Sequence, residues 1–138
     1  MAKTLKVTIV SADRQLFKGE VERVVATAST GELGILAGHT PLLALLKPGQ
    51  VRLTLSDGQE EVIYVSGGFI EVQPTRTVIL ADEAERAEAL DEEKIRQQRA
   101  EAEARIRDKT ISKVDHDRAE IMLMQTSAKM SALNRKKR

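Results

Sequence analysis

Gly31-Glu32-Leu33-Gly34-Ile35-Leu36-Ala37-Gly38-His39-Thr40-Pro41 decides how this chain is read. Three glycines in eight residues suit neither a regular strand nor a helix, and they imply backbone that visits positive φ or approaches a neighbour closely. The four apolar side chains between them must still be placed against something. A lone glycine would be turn punctuation; this crowded, half-apolar run reads as a built surface.

Working outward, the segments on both sides speak the language of strands. Leu5, Val7 and Ile9 alternate with Lys6 and Thr8, the period of a half-buried strand. Glu20 to Ala28, with Val21, Val24 and Val25, predicts a second strand. Val51, Leu53 and Leu55 alternate with Arg52 and Thr54, Asp57-Gly58 signals a hairpin, and Glu61 to Val65 returns as the partner. Ser66-Gly67-Gly68 turns the chain into Phe69 to Gln73, and Pro74-Thr75 turns it into Arg76 to Leu80. Short strands separated by glycine-bearing turns predict an all-β sandwich or barrel. With only Phe17, Tyr64 and Phe69 as aromatics, its core is aliphatic.

All eight glycines and all three prolines fall at or before Pro74, and the 64 residues beyond contain neither. This composition shift predicts a fold that is α+β by domain: a β-sandwich or barrel over residues 1–84, then an antiparallel two-helix hairpin over 85–138. Asp91 is the expected N-cap of the first helix, with acids in its first turn. Ile95, Ala102 and Ile106 give that helix a thin, alanine-rich stripe. Residues 108–113 are the polar connection, and Ser112 or Asp115 caps the second helix. There Ala119, Met122, Leu123, Thr126, Met130 and Leu133 recur at helical spacing, with Ile121, Met124 and Ala128 widening the stripe. So small an apolar interface contributes limited stability, which suits a hairpin able to open as well as close.

Charge is uneven although the net is +1. Seven acids and one base lie between Asp82 and Glu93, whereas no acid follows Glu120 and the chain closes on Arg135-Lys136-Lys137-Arg138. Two readings of this asymmetry stand: complementarity to helix dipoles, and a basic tip for an acidic partner. Nucleic acid is disfavoured, because no stacking aromatics accompany the tail and the domain is not basic. No cysteine is present, excluding disulfides and thiolate metal sites. The apolar run Leu42 to Leu46 is far short of the roughly 20 residues a spanning helix needs, and no secretory or transit pattern opens the chain. His39 and His116 fall in different halves, and a metal site at either lacks a nominated third ligand. P-loop, G-x-S-x-G and dinucleotide fingerprints are missing, so neither catalysis nor a resident cofactor is expected.

Ser11-Ala12 followed by Phe17, the opening glycine run, Lys47-Pro48-Gly49, Tyr64-Val65-Ser66-Gly67-Gly68 and Ile79-Leu80-Ala81-Asp82 occur in the order found in ε subunits of bacterial F-type ATP synthases, and the chain resembles that family over most of its length. The resemblance implies a non-catalytic rotor subunit of a proton-translocating enzyme, whose partners are the γ subunit, the c-ring and the α and β subunits of the catalytic head. It implies membrane association only through the complex, on the cytoplasmic face of the bacterial inner membrane. Gly31, Glu32 and Leu33 match the ring-facing segment, and Ser11 and His39 match positions on the γ-facing side. The resemblance further implies that hydrolysis is blocked when the helical pair extends into the head; Arg118, Lys129, Arg135, Lys136, Lys137 and Arg138 are the expected contacts to acidic loops there. Some relatives bind ATP through an Ile/Leu-Asp-x-x-Arg-Ala motif. Here Leu90, Asp91 and Lys94 occupy its positions, but Lys94 replaces the arginine fork and Ile95 the small alanine, which points to weak nucleotide binding at most. A generic adaptor built of a β domain and a hairpin is the alternative that composition alone leaves open, beside a weak ATP sensor.

Overall fold

The structure is a computed structural model and describes residues 3–137. Among the described residues nine strands form one hydrogen-bonded sheet folded into two layers. Strand β5 (Leu42–Thr54) belongs to both. Its first part, Leu42–Leu46, pairs with β7 (Gly68–Gln73); Gly49–Thr54 pairs with β6 (Glu60–Val65). One layer therefore runs β2 (Gln15–Val21), β1 (Leu5–Val10), β8 (Arg76–Ala81), β7 and the start of β5. The other holds β4 (Gly31–Leu36), β3 (Arg23–Ala28), the rest of β5, β6 and β9 (Ala84–Arg86). All pairings are antiparallel except β1 with β8. Alternation explains the core: Leu5, Val7 and Ile9 of β1, Ile70 and Val72 of β7, and Val51 and Leu53 of β5 all point between the layers and are buried.

Several expectations need correction. Gly31–Leu36 is a regular strand, pairing with β3 from Ala28↔Gly31 to Arg23↔Leu36 without a register shift. Only Gly31, at the turn, has positive φ within it. The single strand expected over Glu20 to Ala28 is two, β2 and β3, because the chain changes layers at Glu22. Leu42–Leu46 and Lys47-Pro48-Gly49 join the strand expected to start at Val51. The corner there is tight: a Cβ on Gly49 would lie 2.6 Å from the Thr27 Cβ. Strand β9 follows where no strand was expected.

A 310 turn, Ala87–Ala89, leads into helices α1 (Glu92–Arg107) and α2 (Lys113–Lys137). Asp91 is the α1 N-cap, its carboxylate accepting from the Lys94 amide at 3.2 Å. Of the two candidate caps for α2, Ser112 is used: its Oγ accepts from the Asp115 amide at 3.1 Å. Ala119, Thr126 and Leu133, spaced by seven, are buried on one line of α2, and Ile95 and Ala102 are buried on α1. Ala128 and Ala132 are buried on a second line that meets Val62, Tyr64 and Ala87 of the sandwich side. The stripe is narrower than expected, for Ile121 and Met124 are about half exposed. Strand β6 is thus covered twice: Ile63 and Val65 enter the sandwich core while Val62 and Tyr64 lie beneath α2. Small residues let the helix come close, and burying Val62 alone contributes about 1.5 kcal/mol.

Two substitutions test these packing arguments. Gly68 has φ 132°, and an added Cβ would overlap the Leu80 carbonyl oxygen and approach the Ala81 Cα to 2.9 Å. Gly68→Ala is expected to destabilise the sandwich by about 3 kcal/mol in urea unfolding. Ala132 is fully buried between α2 and the sandwich. Ala132→Leu is expected to lift α2, exposing α2 amides to hydrogen exchange at least about tenfold faster while β1 and β8 amides keep their protection.

Candidate functional site: the hairpin seat and the open sheet face

The basic tail folds back on its own chain. Arg135 reaches Glu60 on β6 through both carboxylate oxygens, at 3.1 to 3.3 Å. Lys136 lies 3.6 Å from Glu88 in the 310 turn, and Lys137 pairs with Glu92 at the start of α1. Three consecutive residues point in three directions on a helix, so each finds a different element. Lys137's hydrogen bond, then its charge, holds the Glu92 carboxyl below its ordinary value. That contribution to docking is present above the usual glutamate pKa of about 4.3 and is lost as pH falls through the lowered value. Upstream, the Lys129 ammonium sits 5.3 Å from the centre of the Tyr64 ring. Burial, with Glu83 and Glu85 nearby, pushes the Tyr64 hydroxyl far above its ordinary range, so the phenol stays neutral. Arg118 is exposed on α2. Arg138 lies outside the described residues.

Glu32 is exposed on β4, the edge strand, and Arg52 of β5 approaches it to 3.5 Å. Arg52 is itself mostly buried and also lies 3.5 Å from Glu60. Gly31 is exposed and Leu33 packs partly against the core. Ser11 closes a small turn, donating to Asp13 at 2.8 Å. His39 Nδ1 lies 2.6 Å from the Thr40 carbonyl oxygen. Register separates these two residues: Ser11 follows Val10, which pairs with Leu80, whereas the Gly38 amide bonds to Pro74 before β8 begins. They occupy opposite ends of the sheet. The Gly31 turn shares the Ser11 end, since the adjacent Ser29 amide bonds to Leu45, whose own strand partner is Phe69, itself opposite Leu80.

At the expected nucleotide motif, the Asp91 carboxylate caps α1, Leu90 packs partly against the Val62 and Tyr64 cluster, and Lys94 is exposed. Beside His116 and its sequence neighbour Asp117 the fold brings Glu120, the third group the sequence did not nominate, with ligand atoms within 4.8 Å of one another. All lie in the first turns of α2, where the positive end of the helix dipole disfavours a cation.

One feature was not anticipated. Leu45, Phe69 and Leu80 lie side by side across β5, β7 and β8, and about half of each side chain is exposed; Leu43 beside them is 68% exposed. Charged residues would normally interrupt such a row, and contiguous exposed apolar surface marks an interaction site. Alternation carried the signal: Leu43 and Leu45 point away from the core that receives Leu46. Among the described residues no helix is long and apolar enough to cross a membrane.

Residues 4–87 match the family model described as ATP synthase, Delta/Epsilon chain, beta-sandwich domain. The chain is 55% identical to the ATP synthase epsilon chain of Dichelobacter nodosus, with 98% of each covered. It is 53% identical to that of a Psychrobacter species over 78% of each. Its fold is similar to a chain in the OSCP/F1/c-ring structure of the Euglena gracilis mitochondrial ATP synthase, with TM-score 0.85 and 26% identity, covering 94% of this chain and 81% of that one. A chain in the central stalk and c-ring structure of the Tetrahymena thermophila mitochondrial enzyme shares the fold at TM-score 0.62 and 14% identity, over 95% and 97% of the two. A family model matched across the whole sandwich and 55% identity to a named relative over 98% of the chain show that this chain belongs to the ε-chain family of ATP synthases.

Proposed function

We propose that the chain works as a non-catalytic rotor subunit, coupling proton flow to ATP synthesis and restraining hydrolysis through its hairpin. The observation that carries this reading is the apolar row Leu45, Phe69 and Leu80, a sheet face built to be covered. Its occupant in this reading is the γ subunit, with Ser11 and His39 at the two ends of the same contact. The Gly31 to Leu33 segment meets the polar loops of the c-ring, with Glu32 as the charged contact. Relatives support this placement, since similar chains occur in assemblies of F1, central stalk and c-ring. The chain then lies peripherally at the cytoplasmic face of the bacterial inner membrane, held there by the complex.

In this reading residues 1–84 dock and residues 85–138 regulate. When the hairpin opens, Arg118, Lys129 and the tail meet acidic loops of the catalytic β subunit. The closed arrangement supports an exchange of partners, because Arg135, Lys136 and Lys137 are already matched to carboxylates. Opening exposes Val62 and Tyr64, so the catalytic head must offer contacts that offset this loss.

ATP hydrolysis by an α/β/γ head complex tests the reading. The full chain is expected to inhibit, and a chain ending at Leu90, which keeps β9, is expected to bind without inhibiting. Inhibition by both, or binding by neither, would overturn it. Leu45→Glu, at a half-exposed position, is expected to weaken γ binding at least about tenfold without unfolding the sandwich. Glu32→Lys is expected to weaken assembly with the ring, and the loss should shrink in high salt; a loss independent of salt would remove Glu32 as a charged contact.

A further inference from the structure

The ion pairs at Glu32 and at Arg135 are not separate. Glu32 of β4, Arg52 of β5, Glu60 of β6 and Arg135 of α2 form a continuous chain of alternating charge, with Arg52 and Arg135 both on Glu60. Two carboxylates balance two guanidinium groups. The order matters, because the chain ends outward at Glu32, whose side chain is 58% exposed, whereas Arg52 is 17% exposed. If the Glu32 charge is neutralised, two arginines remain on one carboxylate. Arg52 then turns fully to Glu60, and its like charge weakens the hold on Arg135.

We propose that this chain makes Glu32 a remote control of hairpin docking: a cationic group brought against Glu32 from outside loosens α2 at its C-terminal end. Linkage makes the effect reciprocal, so an undocked α2 leaves Arg52 and Glu60 paired with each other and Glu32 more available to an external cation. No movement of the sandwich is required, only redistribution of two guanidinium side chains around Glu60. The coupling belongs to the isolated chain; that the external group sits on the c-ring rests on the function proposed above.

The tail's other two pairs do not take part. Lys136 and Lys137 reach Glu88 and Glu92, on elements that the Glu32 chain does not touch. They keep α2 docked when the Arg135 pair weakens, so the expected response is graded loosening, not release.

Hydrogen exchange of amides around Ala132 in the full-length chain measures the coupling. Glu32→Gln is expected to accelerate exchange there about threefold at low salt, and to add nothing in an Arg135→Gln background. Arg52→Gln carries the opposite sign. It leaves Glu60 and Glu32 to Arg135 alone, and α2 exchange is expected to slow by about twofold, whereas a merely structural role for Arg52 would speed it. Both effects should fade at about 0.5 M salt. Unchanged α2 exchange in Glu32→Gln, equal acceleration with and without Arg135, or faster exchange in Arg52→Gln would each overturn the proposal. Ile63 and Ile79 amides report the sandwich, and Arg52→Gln decides the matter if Glu32→Gln alters them. Because no partner is present, a negative result here leaves the ring contact of Glu32 to its own assembly assay.

Discussion

The apolar part of strand β6 has no solvent face. Four successive residues, Val62 to Val65, are buried, two toward the sandwich and two toward α2. A strand with continuous apolar sequence must be covered on both sides, since an exposed Val62 and Tyr64 would leave an apolar patch in water. That constraint recruits the helices. The close approach needed at Ala128 and Ala132 sets which face of α2 is small, and the charged neighbours Glu60, Glu88 and Glu92 set where its basic end must lie. The hairpin is therefore an outer layer of the β domain, attached through few and shallow contacts.

Shallow attachment is what a movable element requires. A deep aliphatic interface would hold α2 permanently, whereas alanine contacts supplemented by solvent-facing ion pairs leave a modest free-energy difference between docked and undocked states. The hairpin opening proposed above fits this energetic design. The opposite layer has a different character: its apolar row spans three strands and is supported from beneath by the aliphatic core. One face is suited to a lasting contact and the other to a reversible one.

Much of this was legible in residue order. The glycine- and proline-bearing turns up to Pro74 marked most of the strand half, although β8 and β9 follow the last of them, and Asp91 announced its helix because a carboxylate before acidic first-turn residues has few other uses. The strand through Lys47-Pro48-Gly49 was not legible, since proline argues against a strand interior unless the strand bends, and here it bends between layers. The break at Glu22 was hidden by the valines on both sides of it. In the candidate site, the residue types of the tail were evident but their partners were not: Glu60 lies 75 positions from Arg135, and only the fold brings them together. The apolar row was equally hidden, because Leu43 and Leu45 read as part of an aliphatic run until pairing decides which side chains turn outward.

Strand β5 has a mechanical consequence. It runs unbroken from the layer bearing Leu45 to the layer that seats α2, pairing with β7, β3 and β6 on the way. A twisting load entering at the apolar row reaches the other layer along covalent backbone, with rows of ladder hydrogen bonds on either side sharing the force in shear. The sandwich is thereby stiff along this line while its hairpin is only shallowly attached, a combination suited to the proposed role of a part that turns as a rigid body and changes its outer shape.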